Sequence, residues 1–359
     1  MNMHKHLFLP GPVEVRQDIL DQMATPMISH RGRDASELQK RISDKLKAMM
    51  KTKSEIVLST SSGSGLMEGA IRSCTRKRAV VFSIGAFGDR WHQIARSNNV
   101  PSDLISYEMG QAVDPEQVRE TLSTGRYDVV AITHNETSTG ITNPLEELSS
   151  VIKDFPDVIW LVDAVSSFGG CPIDVDRLKI DVLITSSQKC LGLPPGLSLC
   201  SVSEQALRAA EQVPFRGSYF DLVALCEYIR KKNYQYPSTP SLSHMFALDY
   251  QLDRIFDEGL ESRYQRHLDL AVRTRNWARE AFSLFGDERY LSPTVTCVLN
   301  TREISVAELN KYLGDNGYQI SNGYGAIKEK TFRIAHMADT TMDELDQLLR
   351  YIDRFLEKM

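Results

Sequence analysis

Short apolar runs alternate with amphipathic stretches along the first part of the chain. Residues 55–59, 79–83, 103–107, 128–133, 158–162 and 182–184 form compact, aliphatic-rich runs that read as buried strands. Between them lie segments with helical spacing. In 34–50, Leu38, Ile42, Leu46 and Met49 fall on one face. Further helices are expected at 14–23, 66–74, 87–96, 115–123 and 145–153. Asp114 is the N-cap of the 115–123 segment and Pro115 its first helical residue. After Pro240 the pattern changes. One long charged helix is expected from Ser243 to about Phe285. It is followed by a strand at 294–299, a helix at 306–316, the segment 319–321, a strand at 331–335 and a last helix at 342–358.

Strands alternating with helices imply an α/β protein whose mostly parallel sheet, of a seven-stranded type, is covered by helices on both faces. A smaller α+β unit follows at the C-terminus. The expected division is an N-terminal arm (1–15), a large domain (16–245), and a linking helix with a small domain (246–359). In such a sheet ligands bind outside the carboxyl ends of the strands. The loops at those ends are 60–65, 85–88, 133–140, 163–170 and 186–189.

Composition leaves this picture intact and narrows the partners. The 359 residues are 42% hydrophobic and 25% charged, ordinary for a globular protein. A formal charge of -5 disfavours nucleic acid as the main partner and gives no reason to expect a membrane. The polar start, Met1 to His6, lacks a signal-peptide core, so the expected location is cytoplasmic. The six Cys show no C-x-x-C pairing and read mostly as core thiols. Cys190 would be a nucleophile only if a base approached it.

Four of the strand-end loops carry candidate chemistry. Ile184 runs through Thr-Ser-Ser-Gln to Lys189 and on to a Gly/Pro-rich turn ending at Ser198. A lone Lys at the end of a buried strand suits a reactive amine that forms a Schiff base, or else it opens a solvated loop. Asp163 closes another apolar strand, where an ionised carboxylate needs a cation or strong donors. The alternative is a turn-capping Asp. Ser61-Ser-Gly-Ser-Gly65 stands between strand and helix, as either a phosphate cradle or a flexible turn. Thr133-His-Asn-Glu-Thr-Ser-Thr-Gly140 is dense in polar groups, and His134 there is either a base or a structural residue. Together they fit pyridoxal 5′-phosphate. That cofactor needs a Schiff-base Lys, a carboxylate for its ring nitrogen, a phosphate cradle and a flat side chain, which Phe87 can supply.

These motifs, in this order, resemble the class V aminotransferases of fold type I, in particular the alanine–glyoxylate and serine–pyruvate group. The resemblance runs from Leu9-Pro-Gly-Pro12 to Arg333-Ile-Ala-His-Met337. It implies that Lys189 holds the cofactor aldehyde and shuttles a proton, and that Asp163 pairs with the ring nitrogen. Gln188 would contact the ring hydroxyl, Ser138 would lie near the ring and Phe87 would stack on it. Ser64, Gly65 and the Leu66 amide would cradle the phosphate, helped by Ser186. Tyr236 and Thr239 would reach it from the neighbouring subunit of a homodimer. Arg333 would grip the substrate carboxylate, and Gly11 would lie on the substrate side. The implied activity is ping-pong transfer of an amino group from alanine or serine to glyoxylate or pyruvate.

Two departures bear on substrate. Ser29-His-Arg31 stands where relatives have Gly before the His-Arg pair, and Arg33 follows; the two Arg either bind a second anionic group or pair with surface acids. Ala335 replaces the usual Gly. A donor bearing phosphate or phosphonate therefore stays in view. So does a cysteine desulfurase, for which Cys297 is the one Cys available after Cys226.

Overall fold

The structure, a computed structural model, describes residues 4–358. Fourteen strands occur among them. They are β1 (His6–Phe8), β2 (Glu55–Ser59), β3 (Ala79–Ser83), β4 (Ser102–Ser106), β5 (Val129–Thr133), β6 (Asn135–Glu136) and β7 (Ile141–Thr142). The rest are β8 (Ile159–Asp163), β9 (Val182–Ser186), β10 (Ser198–Val202), β11 (Ser283–Leu284), β12 (Val295–Leu299), β13 (Tyr318–Asn322) and β14 (Thr331–Ala335). Seven build one sheet in the order β2-β10-β9-β8-β5-β3-β4. All neighbours pair parallel except at β10, which runs opposite to both β2 and β9. Two reversals cancel, so the carboxyl end of β2 returns to the edge shared by β9, β8, β5 and β3.

Alternation explains how this sheet is held. Val80, Phe82, Val130, Ile132, Trp160, Val162 and Leu183 point into one apolar cluster, closed by helices 33–50 and 242–258. Val81, Val129, Ala131, Ile159, Leu161, Val182 and Ile184 point into the other, closed by helices 63–74, 204–211 and 222–231. A second sheet, β1-β13-β14-β12-β11, packs on the final helix through Leu345, Leu348, Leu349 and Ile352. β1 pairs parallel with β13, so the start of the chain is stitched to its C-terminal sheet.

Several expectations change. Strand β10 and helices 204–211 and 222–231 were not foreseen. The expected long helix is two, Leu242–Glu258 and Leu260–Ala281, broken at Gly259, whose φ of 84° favours glycine. The helix expected from Leu66 begins at Gly63, and the one expected from Glu14 begins at Gln17. Asp114 caps as expected: its Oδ1 accepts the Glu116 N–H at 2.9 Å.

Candidate active site

β8 and β9 deliver the two central groups side by side. Their register sets Asp163 opposite Ile184, two residues before the end of β9. Asp163 is buried, and its Oδ1 accepts the Val165 N–H at 2.8 Å. Burial raises its carboxyl to about 6, against the pull of that N–H. Lys189 is buried too, and its Nζ donates to the Pro10 carbonyl. Burial lowers its ammonium to about 8, although the Asp163 carboxylate pulls the other way. Gly11 lies against this amine. Its φ is +95°, and a Cβ there would sit 2.5 Å from Lys189 Nζ. Only glycine leaves the Lys189 side chain its room.

The earlier helix start matters for the phosphate candidates. Ser64, Gly65 and Leu66 occupy the first turn of helix Gly63–Cys74, where N–H groups lack intrahelical carbonyls. Gly65 turns its N–H back to Ser62 O at 2.9 Å, which leaves the Gly63 and Ser64 amides at the tip. A Cβ on Gly63 would meet Val165 at 2.6 Å and lie 3.7 Å from Ser186 Oγ. So the helix tip, the Asp163 turn and the end of β9 meet here. Arg90, which the sequence reading passed over, donates to Ser64 Oγ at 3.3 Å and stacks on the Phe87 ring at 4.9 Å.

A carboxylate joins the ring candidates. Glu136, fully buried, accepts the Phe87 and Gly88 N–H groups at 2.9 and 3.1 Å through Oε2. Its Oε1 accepts the Ser138 N–H at 3.1 Å and the Ser138 hydroxyl at 2.5 Å. Burial pushes this carboxyl up and the four donors pull it back. Phe87, at the start of helix Ala86–Ser97, and Ser138, between β6 and β7, are thus held by one side chain. Its sequence signal was weak, one polar residue among many in residues 133–140.

Arg333, on β14, is buried. Its Nη1 donates to Thr137 O at 2.9 Å, and Nε and Nη2 donate to Asn322 O at 3.2 and 3.0 Å. A guanidinium has five N–H groups, so one remains on each terminal nitrogen for a ligand. Behind the larger effect of burial, its charge adds to the lowering of the Lys189 ammonium.

Other candidates resolve differently. Arg31 donates to Tyr236 O at 2.5 Å and to Pro237 O at 3.0 Å, while exposed Arg33 pairs with Glu37 at 2.6 Å. Both side chains are exposed, Arg31 held by backbone carbonyls and Arg33 in a surface ion pair. Tyr236 is buried in the core of its own chain, and Thr239 is exposed. His134 bonds Ser167 Oγ at 2.8 Å, and burial lowers it to about 4, a neutral structural role. Burial raises the Cys190 thiol to about 11 and that of Cys297, inside β12, to about 12, which makes both poor nucleophiles.

Two buried polar atoms within residues 186–189 have no protein partner: Ser186 Oγ and Gln188 Oε1. Such atoms call for a polar guest. A helix tip with Arg90 beside it, a buried carboxyl without a cation, a buried amine and these two atoms fit pyridoxal phosphate. Fold and site together define an aminotransferase dependent on that cofactor. The family description Aminotransferase class-V matches residues 15–348, and the chain belongs to this family, with fold type I. It is 36% identical to a Methanocaldococcus jannaschii protein described as an uncharacterized aminotransferase, over 99% of this chain and 93% of that one. It is 30% identical to the serine–glyoxylate aminotransferase of Arabidopsis thaliana, over 98% and 90% of the two chains. The crystal structure of an alanine–glyoxylate aminotransferase from Nostoc sp. superposes with a TM-score of 0.92 at 26% identity, covering 98% and 95%.

Proposed function

We propose that this enzyme moves an amino group from alanine or serine to glyoxylate or pyruvate by a ping-pong mechanism, as a cytoplasmic homodimer. The observation that carries the reading is the buried Lys189 amine, lowered to about 8 and sensing Asp163 and Arg333. The serine–glyoxylate and alanine–glyoxylate activities of the Arabidopsis and Nostoc proteins support the substrate class. Bound pyridoxal phosphate supplies an aldehyde for amines and a protonated ring that takes up electrons.

Each residue then has a task. Lys189 would hold the aldehyde through its neutral amine, and its Nζ is the atom that would take the substrate Cα proton. Asp163 keeps the proton on the ring nitrogen, the cation its buried carboxyl lacks. The tip of the helix at Gly63–Leu66, with Ser186, receives the phosphate. Gln188 meets the ring hydroxyl, Phe87 covers one ring face, and Ser138 lies near the ring. Arg333 grips the substrate carboxylate with its two remaining N–H groups, a fork suited to that shape. Gly11 keeps the substrate side of Lys189 open. Thr239, exposed here, is the residue we expect against the phosphate of a second subunit. Tyr236, three residues earlier, is expected to reach the same phosphate beside it. The same reading divides the chain into an arm (1–15), a cofactor domain (16–245) and a linking helix with small domain (246–359).

A half-reaction screen tests this. The holoenzyme is mixed with alanine, serine, phosphoserine, 2-aminoethylphosphonate or cysteine, and the visible absorbance of the lysine-bound cofactor is followed. Alanine or serine should abolish it and release the matching 2-oxo acid. Conversion by the phosphorylated or phosphonate amine alone would overturn the donor assignment, as would sulfide release from cysteine.

A further inference from the structure

The turn Gly323-Tyr-Gly325, which follows Asn322 at the end of β13, has no task in the assignment above. Tyr324 stands in it, 39% exposed. Its ring centroid lies 6.0 Å from that of Phe87, tilted by 43°. The Cζ of Arg333 lies 5.6 Å from the same ring. One side chain therefore spans the distance between the expected ring-stacking group and the expected carboxylate-binding group.

The base of this loop is fixed. Arg333 holds the Asn322 carbonyl through two N–H groups. The Asn322 Oδ1 accepts the Gly323 and Glu329 N–H groups at 2.7 and 2.9 Å. A Cβ on Gly323 would overlap the Ile327 carbonyl, so the backbone is tightly packed there. On the other side Gly325 has φ +55° and open space around it. The ring thus stands on a fixed base and is itself partly exposed. Its face also lies against the guanidinium, an arrangement that favours the cation.

We infer that Tyr324 is the specificity-determining residue for the amino donor: its ring walls the cleft between Phe87 and Arg333 and admits only small side chains. The inference rests on the proposed function. An amino acid whose carboxylate sits on Arg333 and whose nitrogen reaches Lys189 has two substituents of its Cα fixed. Its side chain must then pass the ring that bridges Phe87 and Arg333. A methyl or hydroxymethyl group fits beside a phenol ring, and a branched chain meets it.

The test uses the holoenzyme with Tyr324→Ala, Tyr324→Phe and Tyr324→Trp. Two ratios are read: kcat/KM for leucine over alanine, and the Kd for propionate against 4-methylpentanoate, unreactive carboxylates measured by calorimetry. Tyr324→Ala should raise the leucine-to-alanine ratio about tenfold or more, the scale of a pocket distinguishing alkyl groups. It should shift the carboxylate preference the same way. Tyr324→Phe should keep both ratios, since the ring and not the hydroxyl forms the wall, and Tyr324→Trp should move both in the opposite direction. Unchanged ratios in the Ala and Trp variants would overturn the inference. If neither alanine nor serine is a donor for the wild type, the proposed function fails. The carboxylate ratios then decide the role of Tyr324 separately.

Discussion

At the scale of single residues the decisive fact is a lysine that folding makes easier to deprotonate. The Lys189 ammonium falls from 10.5 to about 8 because burial strips its water. Between those values the unfolded chain binds the proton more than the folded one does. The contribution of Lys189 to stability is therefore present above 10.5 and lost as pH falls through about 8. For the cofactor-free protein, the rate of Schiff-base formation with pyridoxal phosphate should rise with pH through a midpoint near 8. Stopped-flow absorbance against pH checks this, and a midpoint close to that of an ordinary lysine would refute it. Glu136 offers a second case. Glu136→Gln sets an NH2 group against N–H donors that now meet carboxylate oxygen. Leaving buried donors unsatisfied costs about 1–3 kcal/mol each. The variant should bind pyridoxal phosphate at least about tenfold more weakly in a fluorescence titration, because 1.4 kcal/mol is tenfold. Asp163 and Lys189 were legible in the sequence because a charge closing an apolar strand demands a reason. Glu136 was not, since its partners Phe87 and Gly88 come from a different strand end. Arg90 and Tyr324 were hidden in the same way.

At the scale of elements, helix Leu260–Ala281 does more than link. Arg263, 1% exposed in its first turn, donates to Gly169 O at 3.0 Å and Cys190 O at 2.7 Å. It also pairs with Glu258 at 2.7 Å and with Asp339 at 3.0 Å, and burial fails to lift the Asp339 carboxyl, held down at about 2 by Arg263 and Arg254. One guanidinium thus braces the loop after Asp163 and the residue after Lys189 from behind. Removing one partner of a buried pair costs about 3–5 kcal/mol. Arg263→Leu should lose about that much in urea unfolding, and a loss below about 1 kcal/mol would show the brace to be idle. The parallel strands were readable because both their faces are buried, which gives continuous apolar runs. Strand β10 escaped notice behind the Gly/Pro-rich turn 192–196, and helix 63–74 began early because its glycines look like loop. The break at Gly259 was concealed in a stretch rich in charge, where no apolar period marks a boundary.

At the scale of the whole molecule, chain ends and centre converge. β1 ties the N-terminal arm to the C-terminal sheet, and a few residues later Pro10 and Gly11 touch Lys189. Arg333, on β14 two strands over, belongs to the same sheet. Segments far apart in sequence therefore fix one amine, which is why the motifs alone suggested the chemistry and the geometry was needed to assemble it. No helix among the described residues is long and apolar enough to cross a membrane. The central assignment, Lys189 as the cofactor anchor, is tested most directly by borohydride reduction of the reconstituted enzyme, followed by peptide mass analysis. Wild type should carry one cofactor on Lys189 and no other lysine, and Lys189→Ala should carry none and show no turnover. A label on another lysine, or near-wild-type turnover in that variant, would contradict it.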